Sequence, residues 1–310
     1  VVAKSKTIVS TRYYSQRKNR KDKGMIAFAD KYTRNEVRSM WKTCFDDSEE
    51  YMYIHFSRKY RDDNTLILSE SKPAASLQML PYQITFNKKL VPFSYISGVC
   101  TLPEFRKRGH MDRLLIESFK VLHTRDIPLA ILVPAEDWLF DFYERYGFRQ
   151  CFEGDDTPIS IKEILDRNES DLDKSYADFQ STYSKLDFCT QKSRYDFETI
   201  VEENVLENFA DDHNLSAMVR IIDAKSLLTI FAEKNPTKRF TIEVSDKQLS
   251  QNNTTLKIEK GNCSETTSFP DFSVSINTLA QLLFGFNIES LGKDYSRVFE
   301  SHNPIINLMF

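Results

Sequence analysis

The segment from Val99 to Met111 places three consecutive cations, Arg106, Lys107 and Arg108, and then Gly109, between the end of one element and the start of a helix. A helix N-terminus carries amide N–H groups with no intrahelical acceptor and a partial positive charge, which together attract an anion. Gly109 has no Cβ, so a diphosphate can approach the backbone there. The flanking cations add charge, and a guanidinium can grip phosphate oxygens in pairs. The same residues also suit a solvated basic turn, so this segment alone leaves both readings open. Some thirty residues on, the aromatic run Trp138–Tyr146 presents the phenol of Tyr143 and stops at Gly147. The carboxylates of Asp46 and Asp47, and that of Glu136, are where a cationic group could be met.

The elements that position these residues are legible from periodicity. Val37, Met40, Trp41 and Phe45 recur at helical spacing, and Asp47 or Ser48 can cap a second helix running to Tyr60. Thr65–Glu70, Ala75–Phe86 and Leu90–Thr101 read as strands, with Asn87-Lys88-Lys89 as the hairpin tip between the last two. A helix follows over Met111–His123. The apolar run Ile127–Val133 suits a strand buried on both faces. The aromatic helix ends at Gly147, which can take a left-handed cap, and a last strand starts at Phe148. Three antiparallel strands followed by a crossover into a parallel one predict an α+β fold with a mixed sheet flanked by helices. Residues 156–215 are polar with helical stretches. Order returns near Ala217–Ala224, then helix Lys225–Glu233, strands Arg239–Ser245, Thr254–Glu259 and Phe272–Ile276, and helix Asn277–Phe284. Residues 216–310 are therefore expected to form a separate, smaller α+β domain.

Taken together, Arg106, Gly109 and, imperfectly, Met111 resemble the pyrophosphate-loop motif Arg/Gln-x-x-Gly-x-Gly/Ala of the GNAT superfamily of N-acetyltransferases. Tyr143-Glu144-Arg145-Tyr146-Gly147-Phe148 is similar to the Tyr-x-x-x-Gly-Phe/Tyr block that closes such domains, and Pro134-Ala135-Glu136 resembles the end of the strand before it. The departure at Met111 resembles the Eis-like branch. Met218–Asp223, Phe240–Asp246 and Thr278–Gly285 resemble the sterol-carrier-like C-terminal domain of that branch. The resemblance covers residues 25–155 for the acetyltransferase part.

It implies acetyl-CoA as donor and a primary amine of a small molecule or peptide as acceptor. Coenzyme A would lie beyond the strand ending at Thr101, its pantetheine arm along Val99, Cys100 and Thr101, and its diphosphate on the loop from Arg106 through His110 to Met111. A backbone N–H near Val99 would stabilise the oxyanion. Tyr143, with an ordinary phenol pKa of about 10, would protonate the departing thiolate, the bland reading being a satisfied core tyrosine. In that branch the last carboxylate acts as general base, which here would be that of Phe310. Asp46, Asp47 and Glu136 would face the acceptor. Met309 stands where acid accompanies polycationic substrates, which counts against aminoglycoside-like acceptors. An oligomer of identical chains is also implied. The alternative is a lipid- or ligand-binding protein acting through its C-terminal domain.

Composition narrows the field. A net charge of -3 gives no global field to gather nucleic acid or an anionic membrane. Five cysteines, Cys44, Cys100, Cys151, Cys189 and Cys263, show no Cys-x-x-Cys pair, and the histidines show no ligand spacing, so neither a disulfide framework nor a metal site is expected, and a cytoplasmic location is. No run of about 18 apolar residues is present to span a membrane. Residues 1–24 carry eight Lys or Arg against a single acid, and read as a basic extension outside the fold.

Overall fold

The computed structural model describes residues 24–154, 160–209 and 215–306. Apart from Gly24, the basic N-terminal extension lies outside these residues, as does Phe310.

Strand β1 (Met25–Phe28) leads into helices α1 (Arg34–Cys44) and α2 (Glu49–Arg58). Val37, Met40 and Trp41 form the buried stripe of α1, and Ser48 caps α2 by accepting the Tyr51 amide at 3.0 Å. Strands β2 (Thr65–Ser69), β3 (Pro73–Phe86) and β4 (Lys89–Thr101) follow. Asn87 and Lys88 both take positive φ, 51° and 64°, which is what a two-residue hairpin matching the strand twist requires. Next come α3 (His110–Thr124), β5 (Leu129–Leu132), α4 (Trp138–Glu144) and β6 (Phe148–Phe152). The stretch after them supplies α5 (Ile161–Arg167), α6 (Leu172–Tyr183), the short β7 (Thr190–Gln191) and α7 (Arg194–Leu206), gathered around Ile161, Phe179 and Phe197. The C-terminal part runs β8 (Ala217–Ile221), α8 (Ala224–Lys234), β9 (Phe240–Ser245), β10 (Thr254–Glu259), β11 (Asn262–Glu265), β12 (Phe272–Ser275), α9 (Ile276–Phe284) and α10 (Lys293–Ser296).

Two sheets result. The larger has the order β1-β2-β3-β4-β5-β8-β6, with β7 beside β3, and the smaller has the order β11-β10-β9-β12. The β4–β5 contact is parallel while the others in the larger sheet are antiparallel, so the expected mixed sheet with a smaller α+β partner is what forms.

One boundary is corrected. The segment Ala217–Ala224 was expected to open a separate domain at 216, yet its strand β8 pairs with β5 on one side and β6 on the other, inside the larger sheet. The physical reason lies in its two apolar faces. Met218 and Ile222 join the core under α3, while Val219 and Ile221 join the core on the opposite side. A strand apolar on both faces belongs in the middle of a covered sheet.

The two sheets share that second core. Leu129, Ile131, Val219 and Ile221 of the larger sheet meet Leu227, Leu228, Leu279 and Phe284 of α8 and α9, which in turn cover Phe240, Ile242, Leu256 and Ile258 of the smaller sheet. Phe299, 1 % exposed, packs into the same core.

Candidate active site

The site begins where the central strands part. β4 and β5 pair at Phe93–Leu129, Ser94–Ala130 and Tyr95–Ile131, and no further. β4 continues through Thr101 with its β5-side edge unpaired. Opposite β3 it carries a bulge, because Ser76 pairs with Cys100 and Gln78 with Ser97, so that Gly98 and Val99 stand against Leu77 alone. A bulge turns backbone groups out of the ladder and bends the strand. Val99, Cys100 and Thr101 are therefore brought together at an open strand edge. Cys100 itself is buried, with its sulfur 3.2 Å from Ser76 Oγ, so its side chain faces the core and only its backbone is at the edge.

After β4 a single turn of tight helix, Pro103–Phe105, carries the chain to the cationic loop. Gly109 adopts φ 73° at the N-cap of α3, a left-handed conformation that disfavours any side chain, and open space surrounds its would-be Cβ, the nearest atom being an Asp112 carboxylate oxygen at 3.6 Å. Among the described residues, no acceptor takes the backbone amides from Lys107 to Asp112; the first helical bond is Arg113 N–H to the Gly109 carbonyl at 3.3 Å. These amides form a ready anion cradle at the head of a fifteen-residue helix.

The cations around it are not equivalent. Arg106 donates to the Thr101 carbonyl at 3.2 Å, and Arg108 donates to the Glu104 carbonyl at 2.8 Å and pairs with Glu70 at 3.1 Å. Lys107 is exposed with φ 62°. The His110 ring turns inward: it is 5 % exposed, with Nε2 3.0 Å from Glu70 Oε1 and the Phe105 ring beside it. Only its amide belongs to the cradle. Met111 packs at the fringe of the α3 core.

Tyr143, on α4, belongs to the core that α3 covers. Its ring is buried between Phe142 and Phe148, and burial raises its phenol above the usual range. No hydrogen-bond partner takes its hydroxyl among the described residues, whereas the nearby Tyr146 donates to Asp112. A phenol held protonated and uncommitted suits a proton donor. Tyr95, the last β4 residue paired with β5, lies close by, its hydroxyl beside the Val133 amide. Its own phenol is raised by burial and then by Tyr143.

The expected acceptor-side acids behave differently from one another. Asp47 accepts from Trp41 Nε1 at 2.6 Å and so fixes the α1–α2 loop, while Asp46 is exposed. Glu136 is exposed and accepts from Trp138 Nε1 at 2.8 Å, at the entry to α4. Phe310 lies outside the described residues.

A polar cluster went unread in the sequence. A cavity of about 170 Å³ lies between α2, β3 and α7, lined by Lys59, Tyr82, Lys192 and Asp196 among others. Lys59 pairs with Glu203 at 2.6 Å, both nearly buried. Burial lowers the Lys59 ammonium and raises the Glu203 carboxyl. Lys192 sits 4.3 Å from the centre of the Tyr82 ring, and burial pushes its ammonium down to about 7. Tyr51 is raised by burial, then by Glu203 and Asp47. Tyr82 and Tyr95 were legible as strand positions. The charges come from three separate elements, and no local spacing announces their meeting.

Residues 26–151 match the acetyltransferase (GNAT) domain family, and residues 224–292 match the sterol carrier protein domain family. Solved structures share the whole fold. A conserved Enterococcus faecalis protein described as a probable N-acyltransferase superposes over 93% of this chain and 100% of its own, with a TM-score of 0.65 at 14% identity. A GCN5-related N-acetyltransferase from Anabaena variabilis covers 92% and 100%, with a TM-score of 0.62 at 15% identity. Eis1 from Mycobacterium abscessus covers 91% and 98%, with a TM-score of 0.61 at 11% identity. No curated protein matches the chain in sequence. Among the described residues no helix is long and apolar enough to cross a membrane.

Proposed function

We propose that this chain, which joins a GNAT acetyltransferase domain to a sterol carrier protein domain, moves an acetyl group from acetyl-CoA to a primary amine of a small molecule or peptide by direct attack. The observation that carries this reading is the run of acceptor-free amides from Lys107 to Asp112 beside the unpaired edge of β4. Acetyl-CoA supplies an activated acyl thioester. The amides and the exposed Lys107 hold the diphosphate, with Arg106 and Arg108 adding charge. The β4 edge from Val99 to Thr101 orients the pantetheine as an added strand would be oriented. A backbone N–H at the Gly98–Val99 bulge faces the carbonyl oxygen as charge develops there. As the amine nitrogen bonds to the carbonyl carbon it gives up a proton to water, the C–S bond breaks, and Tyr143, which keeps its proton at the phenol oxygen until then, delivers it to the departing sulfur.

Asp46, exposed, and Asp47 give the α1–α2 loop acidic character, consistent with a cationic amine. Titration calorimetry with acetyl-CoA tests the reading. Binding at micromolar to submillimolar concentration is expected, and silence at millimolar concentration would sink it.

A further inference from the structure

Helix α1 ends at Cys44, and its sulfur lies 3.6 Å from the carbonyl oxygen of Thr101 at the end of β4. Cys100 is the residue before Thr101 on that strand, its sulfur 3.2 Å from Ser76 Oγ, and the two thiols shift one another's acidity in opposite directions. Both are free. They differ in access: Cys44 is partly exposed, whereas Cys100 is 4 % exposed. They differ in acidity as well. Cys44 is pushed down to about 7, first by the hydrogen bond from Cys100 and then by the Arg106 guanidinium, while Cys100 is held well above its ordinary value. The accessible member is therefore the more acidic and more nucleophilic thiol, and the buried one is the weaker acid. None of the remaining cysteines is made more acidic. Burial raises Cys151, Cys263 and Cys189, the last to about 12.

We propose that Cys44 and Cys100 form a peroxide-sensitive dithiol whose oxidised state is a disulfide tying the end of α1 to the end of β4. Hydrogen peroxide is the oxidant. The Cys44 thiolate attacks one peroxide oxygen, the O–O bond breaks, and the departing hydroxide takes a proton to leave as water, giving a sulfenic acid. The Cys100 sulfur then attacks the Cys44 sulfur, the S–O bond breaks, and the Cys100 proton leaves with the oxygen as a second water. Two thiols are oxidised by two electrons and one peroxide becomes two waters. A small thiol of the glutathione class reverses the bond by exchange. In a reducing compartment such a bond is transient, which suits a sensor better than a staple.

The effect of the bond on cofactor binding rests on the proposed function, since Cys100 lies in the edge assigned to pantetheine; formation of the bond does not. The full chain is treated with hydrogen peroxide, its remaining thiols are alkylated, and its peptides are mapped by mass spectrometry without reduction. A linked Cys44–Cys100 peptide, cleared by dithiothreitol and lost in Cys44→Ser, is expected, with Cys151, Cys189 and Cys263 still alkylated. Sulfinic acid on Cys44 with Cys100 still alkylated would overturn the proposal, as would a bond elsewhere. Cys44→Ala, checked by circular dichroism, guards against a folding defect of the first variant. In the second arm, oxidised protein loses acetyl-CoA binding by calorimetry and regains it on reduction. Absence of binding before oxidation would count against the enzyme reading alone.

Discussion

The guanidinium of Arg220 fills the space that a side chain at residue 147 would need: a Cβ added to Gly147 would meet Arg220 Cζ and Nη1 at 2.9 Å and Ile276 Cγ2 at the same distance. Gly147 also has φ 87°, a conformation that L side chains rarely take. The glycine that closes the α4 motif block is thus required twice, once by its backbone and once by a cation from β8. Gly147→Ala is expected to destabilise the fold by about 2–4 kcal/mol, from backbone strain and a displaced guanidinium. Urea unfolding measures this, and a change below about 0.5 kcal/mol would contradict the packing.

Arg220 is fully buried and pairs with both oxygens of Asp246 at 2.8 and 2.7 Å. Asp246 also accepts from Asn252 at 2.9 Å and from the Gln248 amide at 2.9 Å. Asp246→Ala leaves a cation without its counter-charge inside the protein, and a loss of about 3–5 kcal/mol is expected in the same assay. Lys225→Ala, which breaks an exposed pair with Glu265, should cost under about 1 kcal/mol.

Tyr143→Phe keeps the ring between Phe142 and Phe148 and removes only the proton. Turnover of acetyl-CoA with an amine acceptor is expected to fall by about 10²–10⁴, with cofactor affinity within about twofold of the parent. Parallel losses in affinity and turnover would make Tyr143 a packing residue.

Gly109→Ala forces a side chain onto φ 73° at the cradle without a steric clash. The cost of about 1–2 kcal/mol is expected to appear as a roughly tenfold weaker affinity for acetyl-CoA in calorimetry, as the loop relaxes away from the left-handed turn. Unchanged affinity would separate the cradle from the cofactor.

His55 is 1 % exposed, with Nε2 3.0 Å from Gln78 Oε1 and its ring on Trp41. Burial, and then the charge of Lys59, lowers its pKa to about 4. The unfolded chain, with an ordinary histidine near 6.5, binds the proton first. Stability is therefore full above about pH 6.5 and falls toward pH 4, by about 3 kcal/mol from this group. His55→Gln should flatten that slope in unfolding free energies measured from pH 4 to 8.

Local order was legible because it depends on neighbours in the chain. The stripe of Val37, Met40 and Trp41, the Ser48 cap, the Asn87-Lys88 turn and the glycine before α3 each act within a few residues, and each forms as the sequence predicts. The loop from Arg106 to Met111 and Tyr143 were legible for the same reason: turn, charge and helix start are adjacent in sequence.

What the tertiary structure decided involves partners far apart in the chain. Nothing near Ala217 says that β8 slots between β5 and β6, because an apolar run reads alike in either sheet until both its neighbours are known. His110 reads as a cationic-loop residue, but Glu70, forty positions earlier, draws its ring inward. Lys59, Lys192 and Glu203 meet only once α2 and α7 close over β3, and their lowered and raised acidities come from the water that closure excludes. The sequence by itself determined the cradle and its helix, since hydrogen-bonding capacity is a property of the local backbone. Which charges are desolvated, and that Cys44 comes to lie against the end of β4, depended on long-range packing, because burial is a property of the whole fold.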